Sequence, residues 1–100
     1  MEINTMLKQK ILRFSDENLP ADILHGKFHR DRVLKNAELI NTEVKANWDI
    51  ISISVLCHDI GHRYGSENHH IKSADLTRSF LTTLHVEVPV IDEITHCILT

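Results

Sequence analysis

The sequence has no long apolar run, no closely spaced cysteines and no excess of positive charge, and each lack excludes a class of protein. No stretch approaches the roughly 20 apolar residues that a membrane span needs, and no long apolar segment with a cleavage site opens the chain. A soluble, unexported, cytoplasmic protein without a membrane partner is therefore expected. Cys57 and Cys97 form no Cys-x-x-Cys motif and fall in apolar helical surroundings, so reduced, buried thiols are expected of both. The formal net charge of −3 argues against a surface built to coat nucleic acid, because neutralising many phosphates takes a basic domain. It leaves a small phosphorylated substrate open. Neither repeats nor low-complexity segments are visible.

What the chain does have is one domain's worth of ordinary globular composition and a surplus of histidine. Its 100 residues suffice for a single core, and 42% hydrophobic with 25% charged residues excludes a disordered reading. Eight histidines, beside three glycines and few aromatics, exceed what packing requires. Neutral imidazole is the commonest protein metal ligand, so the surplus points toward a metal.

The apolar spacing predicts an all-α bundle of about five helices. Ile3, Met6, Leu7, Ile11 and Phe14 mark an amphipathic helix over residues 3 to 14, followed by a turn from Ser15 to Pro20. A second helix is expected from Pro20 to about Val44, with Val33, Ala37, Ile40 and Val44 inward and a break or close approach at Gly26. If that helix is continuous at its start, His25, His29 and Arg32 share one face. The run from Ala46 to Cys57 alternates enough to suggest a strand, but no partner strand is visible, and a nearly all-round apolar helix with small serines fits better. After a loop, Ser66 or Asn68 can cap a helix from about His69 to Leu84, with Ile71, Ala74, Leu81 and Leu84 on one face. Pro89 starts the last helix, with Val90, Ile91, Ile94 and Ile98 inward.

The chemistry concentrates in Cys57-His58-Asp59-Ile60-Gly61-His62, at the end of the most buried helix. Adjacent histidine and aspartate offer a divalent cation nitrogen and charged oxygen together. Gly61 is expected to let the backbone leave the helix sharply. Each residue also has a plainer role: a helix-end cap for His58 and Asp59, a core histidine for His29, a salt bridge for Arg32, and a solvated loop for His62 and Arg63. His69 competes with His70 for one role at a helix start.

Three pieces taken together resemble the HD-domain superfamily of metal-dependent phosphohydrolases: His25-Gly26-x-x-His29-x-x-Arg32-Val33, then Leu56-Cys57-His58-Asp59-Ile60-Gly61-His62, then His69-x-x-x-Ser73-Ala74. They come in the family's order, from about residue 20 onward. The resemblance implies a helical bundle in which His29, His58 and Asp59 bind a divalent metal, with a histidine at the position of His69 joining where a second metal or an extended site occurs. It also implies a further metal-binding aspartate on a later helix. These 100 residues do not contain it, so the chain is expected to be the N-terminal portion of a longer member.

In that reading the protein cleaves a phosphoester of a nucleotide or other small substrate with a metal-activated water. Asp59 orients the water, His62 or His69 serves the leaving oxygen, and Arg32, His62 and Arg63 reach the substrate phosphate. Mixed nitrogen and oxygen ligands with open positions suit manganese, iron, cobalt or magnesium more than a closed zinc site. The alternative is a non-catalytic module that binds metal or nucleotide, or a fragment with an incomplete site. An uncovered apolar face on the last helix is expected to favour self-association.

Overall fold

Asn4 opens the first helix by accepting the Leu7 N–H on its side-chain oxygen at 2.9 Å, the reciprocal use of a donor that no preceding turn can satisfy. In this computed structural model, residues 3–20, 26–64 and 67–100 are described, Arg63 and Tyr64 by backbone alone. The expectations for His25, for a cap at Ser66 and for the Arg63 side chain lie outside what is described.

The order is α1 (Thr5–Asn18), α2 (Lys27–Val44), α3 (Trp48–Cys57), a 3-10 turn (Ile60–Tyr64), α4 (His69–Thr83) and α5 (Val88–Leu99). The fold is all-α, with no strand among the described residues. α3 is the central element and contacts the other four helices. Its Asn47 caps the start at 3.3 Å, and Ser54 lets α5 come close enough for its hydroxyl to lie 3.4 Å from the Ile94 carbonyl. Ile11, Ile53, Ile60, Leu81, Ile91 and Ile94 form the centre of the core.

Several boundaries and faces differ from expectation. α1 continues through Ser15, Asp16, Glu17 and Asn18 instead of turning there, because Ser15 is drawn inward by buried hydrogen bonds and the Asn18 amide binds the Phe14 carbonyl at 2.8 Å. Pro20 lies outside any helix and Gly26 is the N-cap of α2, while the stretch 21–25 expected to be helical lies outside the described residues. The partly covered side of α2 runs through Val33, Leu34, Ala37 and Asn41, whereas Leu39, Ile40 and Val44 face solvent. Asn41 holds that register because its side chain closes the turn to α3, accepting from the Ala46 N–H at 2.8 Å. Met6 and Ile71 are likewise exposed, and on α4 the buried face is Ser73, Ala74, Thr77 and Leu81.

α5 buries the residues expected of it, Ile91, Ile94 and Ile98. Those three are covered, while Val88 and Leu99 of α5 stay exposed, as do Leu39, Ile40 and Val44 of α2. The end of α4 reverses through His85, whose positive φ of 61° carries the Leu81 carbonyl to the Val86 N–H at 3.1 Å and the Thr82 carbonyl to the His85 N–H at 3.0 Å.

Candidate metal centre

Asp59 stands where α3 ends and the 3-10 turn begins, and it is only 7% exposed. A buried carboxylate is costly unless opposite charge or hydrogen-bond donors surround it. Here the surroundings are imidazoles from neighbouring elements. One carboxylate oxygen, Oδ2, lies 3.1 Å from His58 Nε2 and 3.8 Å from His29 Nε2, and the other, Oδ1, lies 3.6 Å from His62 Nε2.

Each side chain arrives there for a local reason. His29 is in the first turn of α2, and the antiparallel packing of α2 on α3 through the short link at Lys45–Asn47 returns it to the C-terminal end of α3. His58 is the C-cap of α3. His62 sits in the 3-10 turn, whose first bond runs from its N–H to the Asp59 carbonyl at 3.1 Å. His69 opens α4, and its ring stacks on that of His62 with centroids 3.7 Å apart. His70 tilts against His69 and is exposed.

The tautomer of His58 follows from its second nitrogen. Nδ1 is 2.6 Å from the Val55 carbonyl, which can only accept, so Nδ1 carries a proton. In the neutral ring Nε2 then presents a lone pair toward the lone pairs of Asp59 Oδ2 at 3.1 Å. That arrangement calls for a proton or a cation between them. Burial alone would lower the His58 pKa, but hydrogen bonds to Asp59 and the Val55 carbonyl, together with the Asp59 charge, outweigh it and raise the pKa above 6.5.

Among the described residues, two groups of side chains could hold a metal ion: His29, His58 and Asp59, and, sharing the same carboxylate, Asp59, His62 and His69. Within each group the ligand atoms lie within 4.8 Å of one another. Two ligands about 2.1 Å from one ion stand about 3.0 Å apart at a right angle, so the 3.1 Å between His58 and Asp59 already fits and the His29 side needs a small inward movement. The donors are neutral nitrogens and a carboxylate, a set that leaves positions for water or substrate.

Arg32 is exposed on α2, and Arg63 continues the 3-10 turn by its backbone. The guanidinium that is buried near the site belongs instead to Arg30, which the sequence pattern does not single out because it lies in a charged stretch that reads as solvated. Ser73 is equally silent in the sequence. It is fully buried, and its hydroxyl accepts the Gly61 N–H at 2.8 Å, fastening the 3-10 turn to α4. The cysteines separate: Cys57 is buried, and Cys97 is exposed, contrary to expectation, because it falls beside Ile98 and outside the inward row of α5.

An open pocket of about 400 Å³ adjoins His58, walled by Val33, Ile51, Val55 and Ile98 with His70 also on its lining. Comparison of the chain with protein-family models, with curated proteins and with solved structures found no match.

Proposed function

We propose that this chain is a metal-dependent phosphohydrolase of the HD-domain type, in which His29, His58 and Asp59 bind a divalent cation such as manganese, iron, cobalt or magnesium. The observation that carries the proposal is His58 Nε2, whose ring holds its other proton on the Val55 carbonyl, 3.1 Å from a buried carboxylate oxygen, with His29 within reach of the same oxygen. A divalent cation there lowers the pKa of a water and offsets charge on a phosphate oxygen.

The chain's own residues supply the rest. The Val55 carbonyl holds His58 in the ligand tautomer, and Asp59 spans both histidine groups, Oδ2 toward His29 and His58 and Oδ1 toward His62. His62 and His69, stacked on one another, stand beside Asp59, with His62 at its Oδ1, where one of them delivers a proton to the leaving oxygen. Arg32 and Arg63 attract the phosphate by charge. The apolar pocket beside His58 receives the organic part of a small ester, such as a nucleotide base. Such a protein works in the cytoplasm.

The test is release of inorganic phosphate from an aryl phosphate with added manganese. Turnover that falls to the level of buffer and manganese alone in His58→Ala and Asp59→Ala supports the proposal. Manganese binding by the unaltered chain without any phosphate release identifies the non-catalytic module, and oxygen uptake with ferrous iron in place of hydrolysis overturns the reaction class.

A further inference from the structure

Arg30 follows His29 directly and is the one fully buried side chain of α2, 4% exposed. Phe28, on the other side of His29, is exposed, so among the described residues no fully buried apolar side chain of α2 anchors the end that carries the histidine. The guanidinium does so instead. Its Nη1 donates to Ser15 Oγ at 3.0 Å and to Asp16 Oδ1 at 2.5 Å, both on α1, while Nε donates to Asp31 Oδ1 at 2.9 Å. The Ser15 hydroxyl is completely buried and donates its own hydrogen bond to the Leu56 carbonyl on α3. Leu56 lies two residues before His58. One line of hydrogen bonds therefore joins the residue next to His29 to the backbone just before His58 and Asp59, through a third helix.

The physical character of that line indicates its use. An ion pair whose guanidinium is buried while its carboxylates stay partly exposed adds little net stability, since the desolvation of the cation offsets the attraction. Its hydrogen bonds are directional, so a bidentate or branched guanidinium fixes distances that apolar contact leaves soft. The distance that matters here is between ligands on different helices: His29 Nε2 and Asp59 Oδ2 are 3.8 Å apart, and whether a cation is gripped depends on a few tenths of an ångström. We propose that Arg30 and Ser15 are positioning residues, which set the separation of His29 from His58 and Asp59 and so the affinity of that group for a divalent cation. This rests on the metal reading above.

The experiment measures manganese affinity and the absorption spectrum of bound cobalt in Arg30→Met and Ser15→Ala, with Ile91→Val in α5 as a control that loosens the core away from the line. Affinity falling about 10- to 100-fold in Arg30→Met, a smaller fall in Ser15→Ala and a changed cobalt spectrum in both, with Ile91→Val within about twofold of the unaltered chain, is the expected result. Equal affinities throughout, or an equal fall in the control, overturns the proposal. Ser15→Ala, which removes a single oxygen, keeps the test open if Arg30→Met does not fold. If the unaltered chain holds no divalent cation, the functional reading fails by itself. The positioning role is then judged on the metal-free protein by the ring resonances of His29 and His58. Their movement in both variants, with those of exposed His85 and His96 unmoved, supports it, and unmoved rings at His29 and His58 overturn it.

Discussion

The α-carbon of Gly61 lies so close to His69 that a methyl group on it would stand 2.2 Å from the His69 carbonyl oxygen. The same methyl would meet the Ser73 backbone nitrogen at 2.8 Å. The residue is thus glycine for lack of room, where the sequence suggested a need for unusual dihedral freedom. Both obstacles are helix backbone and cannot rotate away. Gly61→Ala is expected to destabilise the protein by about 3 kcal/mol and to part the stacked rings of His62 and His69. Urea denaturation and the imidazole resonances check this, and a change below about 1 kcal/mol would show that the turn and α4 separate freely.

Metal should stabilise the fold, because the ligands are assembled only when α2 and α3 are packed. At a free manganese concentration a hundred times Kd the gain is about 2.7 kcal/mol. Chelation reverses it and Asp59→Ala removes it. Thermal unfolding with and without the ion is the measurement, and an equal shift in Asp59→Ala would place the ion elsewhere.

Protons compete for the same nitrogen. His58 has a pKa raised above 6.5, and a ring protonated on Nε2 cannot bind a metal, so affinity should fall as pH drops through that raised value, approaching about tenfold per unit below it. The metal-free protein shows the opposite sign. The raised folded-state pKa means that the protonated His58 and Asp59 contact contributes stability in full below the unfolded value near 6.5 and loses it as pH rises through the folded value. His58→Asn should flatten both profiles, which calorimetric titration and urea midpoints across pH will reveal.

Thiol chemistry distinguishes the two cysteines. Burial pushes the Cys57 thiol up to about 12, although the Thr77 hydroxyl and the Arg30 charge pull it back. At mild alkaline pH an alkylating reagent should modify exposed Cys97 alone, and Cys57 should react only after unfolding. Mass spectrometry counts the adducts, and two on the native protein would contradict the buried position of α3.

His85 adopts a positive φ of 61° at the end of α4 and is exposed, so its side chain adds strain without a compensating contact in the core. His85→Gly is expected to stabilise the protein by about 1 kcal/mol and to leave metal affinity unchanged. A loss of stability would mean that the imidazole holds the turn.

The helices were legible because a period of 3.6 is a local property, and Ile91, Ile94 and Ile98 declare it within about two turns. The histidines and Asp59 were legible as a type of chemistry, since few side chains offer nitrogen and charged oxygen side by side. The face of α2 was misread at Ile40 and Val44 because an exposed apolar residue has the same local pattern as a buried one, and only Asn41's turn to Ala46 shows the register. Arg30 and Ser15 were invisible for the converse reason: a charge and a hydroxyl read as solvated until another helix covers them.

By itself the sequence determined an all-α chain carrying imidazoles and a carboxylate at the end of its most apolar helix, since periodicity and donor chemistry are written in neighbouring residues. Only the tertiary structure decided that His29 meets Asp59, that Asp59 is shared with His62 and His69, and that Gly61 answers a contact with α4. Those relations join residues far apart in the chain, and packing of the helices sets their distances.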